Sequence, residues 1–230
     1  MGPFESFYES ALQHPILLWA AAALGGAWAL TRPGLAPSLR RYCGFLVVLS
    51  LLDAWLTARH VYGVGALSGV AARGVPLFFV LAGDARFLLL LGAASPRGEV
   101  EIDGRRLLVA GGLTLIVPLS SQIALAALPS DLGGARVLFL VYELAFAALA
   151  LALLRWHPGV RAAPWLATVS RFVVLYYGLW ASADAIILAT GSDLGFGLRL
   201  LPNALYYGGL IGVIGWAGAR ASGQAGKGER

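Results

Sequence analysis

The stretch that decides the fold is RVLFLVYELAFAALALALLR, residues 136–155, which is apolar except for Glu143 and an arginine at each end. An α-helix needs about 20 apolar residues to cross the ~30 Å hydrocarbon core of a bilayer. Lipid cannot satisfy free backbone polar groups, so a run of this length predicts a helix. Similar runs recur along the chain, and with this one they are 15–31, 43–62, 75–94, 107–128, 136–155, 165–190 and 197–218.

Composition agrees with an all-α, polytopic integral membrane protein of one domain. The chain has 230 residues, 59% hydrophobic and 13% charged, against about 25% charged in soluble domains. A single seven-helix domain is expected over 1–218, and the Gly-rich, charged residues 219–230 are expected to form a flexible tail. The excess of Arg over Lys is typical of a GC-rich bacterial gene, so we expect a bacterial inner membrane protein.

The distribution of arginine predicts the orientation. The loops after the first, third and fifth runs and the C-terminal tail hold most of the basic residues, whereas the segment before the first run has none. Basic loops stay on the cytoplasmic side. The sequence therefore predicts an outer N-terminus and a cytoplasmic C-terminus.

Two segments resemble each other within the chain. Residues 53–58 and 184–189 both read Asp-Ala-x-Leu/Ile-x-Ala, and the third and seventh runs each have a proline followed seven residues later by glycine. One interpretation is a parallel repeat of three helices, one linker helix and three helices, as in small transporters. The other is chance matching among Ala, Leu and Gly.

Acidic residues inside the apolar runs are the sharpest functional signal. A charge at the bilayer centre costs at least ~2.5–3.5 kcal/mol, so such groups face a partner or water. They are candidates to bind a proton or a cation, or else they join helices by hydrogen bonds. The four are Asp53, Asp84, Glu143 and Asp184.

Arg86 is the basic residue nearest to these acids in mid-membrane. Residues two apart on a helix point in different directions, so Arg86 and Asp84 are poorly placed to pair. Because the second and third runs are neighbours in sequence, we expect an ion pair between Arg86 and Asp53. That pair would leave Asp84 available for binding.

Other polar and aromatic residues lie in the middle or outer half of the runs. They predict one pocket open to the outside, in which an acid beside aromatic faces would suit a cation. Alternatively, the hydroxyl of Tyr and the indole N–H of Trp only find hydrogen-bond partners there. The expected lining residues are Thr57, His60, Gln122, Tyr177, Trp180, Asn203, Tyr206 and Tyr207.

Several classes of chemistry lack their motifs. The three histidines lie in different regions and the only cysteine is Cys43, so no metal site is expected. No nucleotide-binding motif occurs, and no cofactor is expected. The basic residues flank apolar runs, which excludes nucleic acid as a partner. The only lysine, Lys227, lies in the tail, which excludes a retinal Schiff base.

Two patches carry a family resemblance. Gly83-Asp84, and Ser182-Ala183-Asp184 followed by the Tyr-Tyr-Gly-Gly-Leu-Ile of 206–211, resemble the lysoplasmalogenase family of membrane hydrolases. The chain departs from the family where Ala183 separates Ser182 from Asp184 and where Gly209 replaces a glutamine. It also lacks the family's Lys-Pro segment and membrane histidine, and the family usually has eight spans. The resemblance implies hydrolysis of a lipid vinyl ether by Asp84 and Asp184.

Three functions follow from these patterns. The first is a small transporter or permease, proton-linked, that takes a small solute or cation from the outer pocket. The second is an intramembrane lipid-active hydrolase with the aspartate pair. The third is a heptahelical sensor that binds a non-covalent ligand. No catalytic residue is assigned from the residues alone, and the bilayer is the partner that all three share.

Overall fold

A computed structural model describes residues 1–58, 68–129 and 134–228 of the chain, and it is 83% helical. No strand occurs within these ranges. Two π-helical segments, Leu12–Leu17 and Leu205–Gly209, lead into α2 and α11. The α-helices are α1 (Pro3–Tyr8), α2 (Leu18–Leu30), α3 (Pro37–Leu56), α4 (Gly69–Ala93), α5 (Gly104–Thr114), α6 (Ile116–Ala126), α7 (Ala135–Trp156), α8 (Pro158–Ala162), α9 (Leu166–Thr190), α10 (Leu194–Ala204) and α11 (Leu210–Gly228).

The helices confirm an all-α integral membrane bundle. Five are long and apolar enough to span a bilayer, namely Gly69–Ala93, Gly104–Ala126, Arg136–Trp156, Leu166–Thr190 and Leu194–Gln224. Two other predicted runs fall on shorter or more polar helices: α2 has 13 residues, and α3 has 20 but carries Arg40, Arg41 and Asp53. The count of seven spans stays a prediction.

The surface of the bundle is apolar where a soluble protein would be polar. Leu24, Leu108 and Ile123 are 72%, 80% and 72% exposed. Patches of this kind are unfavourable in water and require an apolar covering. Lipid supplies that covering for a helix bundle in a membrane.

Two prolines interrupt the long helices. The fourth run divides into α5 and α6 at Leu115, because Pro118 has no N–H to donate to the carbonyl of Thr114. Pro202 near the end of α10 is likewise followed by the π-helical segment Leu205–Gly209. At the second interruption the carbonyl of Tyr206 accepts a hydrogen bond from a side chain of another helix.

Close backbone contacts hold α2 against the π-helical segment before α11. A Cβ on Gly25 would lie 2.0 Å from the carbonyl oxygen of Gly208, and a Cβ on Gly208 would lie 1.9 Å from that of Ala21. Only glycine fits at both positions without a backbone shift. The most extensive helix contact is that of α7 with α9.

One end of the bundle, which we call the N-terminal end, gathers α1 and the loop before α10. The carboxylate of Asp193 accepts hydrogen bonds from the backbone N–H of Phe4 at 2.8 Å and of Glu5 at 2.7 Å. Asp193 thus caps the N-terminus of α1 from a distant part of the chain. Carboxylates at this position are favourable, since the first N–H groups of a helix lack internal partners.

The other end, which we call the opposite end, gathers the loops after α2, α4 and α7. Trp165 Nε1 donates to the carbonyl of Ser95 at 2.9 Å, and Ser222 Oγ donates to that of Arg97 at 2.8 Å. The helix α11 continues through Gly228. Residues assigned to a flexible tail therefore begin as a helix that contacts a loop.

Candidate functional site

Asp84 lies buried in α4 between two tyrosines of other helices. It is 2% exposed. The hydroxyl of Tyr142 on α7 donates to Oδ2, and that of Tyr177 on α9 donates to Oδ1. Both carboxyl oxygens thus have a hydroxyl partner, and neither contacts a cation within the described ranges. The carboxyl group ties three helices together through neutral donors.

Arg86 makes no hydrogen bond with Asp84 and uses other partners. Its Nε donates to the carbonyl of Gly83 at 3.1 Å, one terminal nitrogen to Ser50 Oγ at 3.3 Å, and the other to the carbonyl of Tyr206 at 2.8 Å. The predicted ion pair with Asp53 does not form at contact distance among the described residues, although the two charges lie close enough to interact electrostatically. The guanidinium instead donates its hydrogen bonds to two carbonyls and a hydroxyl.

The carbonyl of Tyr206 belongs to the π-helical segment, which explains why it is available. A π turn changes the backbone hydrogen-bond register locally, and such turns often lie at functional sites. The guanidinium of Arg86 also lies 3.9 Å from the centroid of the Tyr206 ring. Gly83 lacks a side chain where the Tyr206 hydroxyl approaches, since a Cβ there would overlap it.

Asp53 has its own set of polar partners on α3 and beyond. Its carboxyl group lies near Tyr207 of the π-helical segment, and Thr57 Oγ1 lies 3.3 Å from Oδ1. The same Thr57 hydroxyl lies 3.1 Å from Nε2 of His14. A polar chain therefore runs from Asp53 through Thr57 to His14. His60, the remaining predicted residue of this stripe, lies outside the described residues.

Aromatic rings surround the two central acids. Trp180 packs 5.5 Å from Tyr177 and 5.2 Å from Tyr206, measured between ring centroids, and Tyr206 lies 5.1 Å from Tyr207. The indole Nε1 of Trp180 donates to Asn203 Oδ1 at 2.8 Å. With Thr57, the structure therefore brings six of the expected lining residues together beside Asp53 and Asp84.

A second polar cluster lies nearer the N-terminal end. Oδ1 of Asp184 accepts hydrogen bonds from Arg136 at 2.8 Å and from Arg199. The same nitrogen of Arg199 lies 3.6 Å from Glu143 Oε1. Its Nε lies 3.0 Å from the hydroxyl of Tyr8 beside α1.

Sequence reasoning did not identify Arg136 and Arg199 as partners of these acids. Their partners are fully or nearly buried, with Asp184 at 0% and Glu143 at 5% exposure. The sequence did carry a signal for this contact, because buried acids need countercharges. Arg136 and Arg199 were the basic residues closest to these acids in membrane depth. Asp184 Oδ2 and Glu143 Oε2 have no hydrogen-bond partner among the described residues.

Two sequence expectations do not match the geometry. Gln122 is exposed on α6, so it does not line the acidic and aromatic cluster. The break at Leu115 separates α6 from α5 and changes which residues of the run face inward. The two aspartates of the hydrolase resemblance lie in different clusters, since Asp84 contacts tyrosines and Asp184 contacts arginines.

Two cavities lie away from Asp84. One of about 640 Å³ is an apolar groove between α2, α9 and the last helix, and one of about 290 Å³ lies at the opposite end beside α4 and α5. In the part of the chain that the structure describes, no group of three His, Cys, Asp or Glu side chains is arranged to hold a metal ion.

The fold and the site together define an integral membrane helix bundle with a buried acidic and aromatic cluster. No family model, curated protein or solved structure matches the chain. The assignment of function therefore rests on this geometry.

Proposed function

We propose that the protein is a proton-linked membrane transporter in which Asp84 is the proton-binding carboxyl. The observation that carries this proposal is the environment of Asp84. Its carboxyl group is buried, has two tyrosine hydroxyl partners, and has no cation at contact distance among the described residues.

A buried carboxylate with no cation at contact distance is costly to keep charged. Arg86 acts on Asp84 only from beyond contact distance, because its guanidinium donates to Ser50 and to two carbonyls. Proton binding removes that charge, and the hydroxyls of Tyr142 and Tyr177 adapt because each can donate or accept a hydrogen bond. Both charge states of Asp84 are therefore accommodated without a new partner. This adaptability distinguishes Asp84 from Asp184, whose charge is matched by Arg136 and Arg199.

The two tyrosine partners of Asp84 also link its charge state to the packing of α4 against α7 and α9. Tyr142 and Tyr177 lie on α7 and α9, the two helices with the most extensive contact. A carboxylate holds two hydroxyl donors more strongly than a neutral carboxyl does. Protonation would thus loosen α4 from both helices, as a movement between binding states requires.

Interrupted helices support the same proposal. Transporters commonly bind substrate near the midplane, where broken helices present backbone groups. The π-helical segment Leu205–Gly209 presents the carbonyl of Tyr206 to Arg86 beside the aromatic cluster. We propose that the solute binds between this segment and Trp180, where Asn203, Tyr206 and Tyr207 would separate in a state that is open toward the outside.

The arginine cluster would close the outer side of that path. Arg199 on α10 contacts Asp184 on α9 and Glu143 on α7. A small rotation of α10 would separate these contacts. We assign Glu143 and Asp184 to this closure, and Asp53 to a second proton-binding position.

We also propose seven spans with the N-terminus outside and the C-terminus in the cytoplasm of a bacterial cell. The separation of α1 and the loop before α10 from the loops after α2, α4 and α7 supports an odd number of crossings. The repeat of three, one and three helices stays a prediction. The hydrolase alternative is less favoured, because its two aspartates belong to separate clusters.

Proton flux into proteoliposomes tests the proposal under an imposed pH gradient and membrane potential. The wild type is compared with Asp84→Asn, and Glu99→Gln, an exposed loop carboxylate, is the matched control. Flux in the wild type and the control that is lost in Asp84→Asn supports the proposal. Equal flux in Asp84→Asn and wild type overturns it, and lipid breakdown without any gradient would favour the hydrolase.

A further inference from the structure

The cavity at the opposite end is lined by both polar and apolar side chains. It lies between α4, the start of α5 and the end of α7, with a volume of about 290 Å³. Its polar lining is Asp103, Arg105, Arg106 and His157. Its apolar lining includes Leu88, Val109 and Leu113, and Leu113 lies about 10 Å along α5 from Arg106.

The two arginines of the polar lining differ in their partners. Arg106 donates to the carbonyl of Glu101 at 2.7 Å and lies 3.5 Å and 3.4 Å from the carboxylates of Glu101 and Asp103. Arg105 has no hydrogen bond or ion pair with any residue of the described ranges, and it is exposed. The positive charge of Arg105 is therefore available to a ligand.

His157 adds a second donor. Its Nδ1 accepts a hydrogen bond from the backbone N–H of Gly159 at 3.0 Å, so the neutral ring carries its hydrogen on Nε2. Burial lowers the pKa of His157, which favours this neutral form. The groups of the polar lining that still lack partners are thus donors, and they suit an anion.

We infer that this cavity binds the phosphate headgroup of an anionic phospholipid, with an acyl chain against Leu88, Val109 and Leu113. Arginine matches phosphate geometry and charge, and basic pockets between membrane helices bind anionic headgroups. The apolar lining offers no hydrogen bond to free phosphate, but it suits the acyl chain of a lipid. The wall is also open to lipid, since Val109 is 54% exposed and Gly92 is exposed.

Two variants test the two halves of the site separately. Arg105→Gln removes the available charge. Gly92→Leu fills the cavity without touching a charge, because a Cβ on Gly92 meets nothing within 4 Å. Arg155→Gln is the matched control, an exposed arginine near the same end that does not line the cavity.

The measurement is lipid retention by the full chain in non-ionic detergent, followed by native mass spectrometry. Phosphatidylglycerol and phosphatidylcholine with identical chains are compared, with and without inorganic phosphate. We expect the wild type to prefer phosphatidylglycerol. Its affinity for this lipid should be about fivefold lower in Arg105→Gln and should also be lower in Gly92→Leu than in the wild type. Arg155→Gln should bind as the wild type does. Equal binding of both lipids, or wild-type binding by both cavity variants, overturns the inference. Displacement of the lipid by inorganic phosphate with no effect of Gly92→Leu assigns the site to free phosphate and also overturns it.

Discussion

The guanidinium of Arg199 on α10 donates a hydrogen bond to Oδ1 of Asp184 on α9, and both side chains are buried. Through the same nitrogen Arg199 also lies within ion-pair distance of Glu143 on α7. One arginine therefore contacts two acids from two helices, and Arg136 supplies the second positive charge through Asp184. The N-terminal end of the bundle depends on this residue for its electrostatic balance.

Arg199→Gln should destabilise the protein strongly. Removing one partner from a buried ion pair leaves an uncompensated charge, which typically costs about 3–5 kcal/mol. Arg136→Gln should cost less, because Arg136 is 31% exposed against 12% for Arg199. Thermal unfolding in detergent measures both. Adding Asp184→Asn to Arg199→Gln should recover part of the loss, and equal melting temperatures for the two single variants would contradict this account.

Asp193→Ala should release the N-terminal helix without unfolding the bundle. Its carboxylate accepts the N–H groups of Phe4 and Glu5, and loss of such a cap costs about 0.5–2 kcal/mol. Hydrogen exchange of residues 3–8 should become faster. Asp103→Ala removes the corresponding cap of α5 and should leave residues 3–8 unchanged. Unaltered exchange in Asp193→Ala would show that α1 is held by other contacts.

Gly208→Ala should weaken the contact of α2 with the last helix. The new Cβ would lie 1.9 Å from the carbonyl oxygen of Ala21, so backbone must move, at a cost of about 1–3 kcal/mol. Gly178→Ala is the control, because its Cβ meets nothing within 4 Å and alanine favours helix. Melting temperature should fall in the first variant alone. A similar response in both would contradict the predicted clash.

His157 should titrate below its ordinary pKa of 6.5, because burial lowers the pKa of its imidazole. The unfolded chain then takes up this proton at higher pH than the folded chain does. The contribution of His157 to stability is therefore complete above pH 6.5 and is lost as the pH falls through the folded pKa. NMR of the imidazole protons measures the midpoint, and His157→Gln assigns the signal. A midpoint at or above 6.5 would refute the prediction.

The sequence predicted the helical membrane bundle well, because the length of an apolar run can be read directly from the chain. Lipid then requires such a run to form a helix. The sequence also marked Asp53 and Asp84, and the lining residues Tyr177 and Trp180, by their depth within the apolar runs. It did not predict the partners of Arg86, because a π turn in a distant helix supplies the carbonyl of Tyr206. Contacts of this kind depend on helix packing.

The fourth run illustrates a different limit. Its hydrophobicity predicts one span, but Pro118 divides it at Leu115, and the inward face cannot be read across the break. Gln122 was misassigned for this reason. Arg136 and Arg199 were not recognised as partners of the acids. An arginine at the end of a span has the same sequence pattern whether it faces water or a buried acid.

The most direct test of the central claim is infrared difference spectroscopy of the protein in lipid during a change of pH. The account predicts a carboxyl C=O band that appears with proton uptake and is absent in Asp84→Asn. Tyr177→Phe, which removes one hydroxyl partner of Asp84, should shift this band, whereas Ser182→Ala, which removes an exposed hydroxyl, should not. A spectrum of Asp84→Asn identical to that of the wild type would contradict the assignment of Asp84 as the proton-binding group.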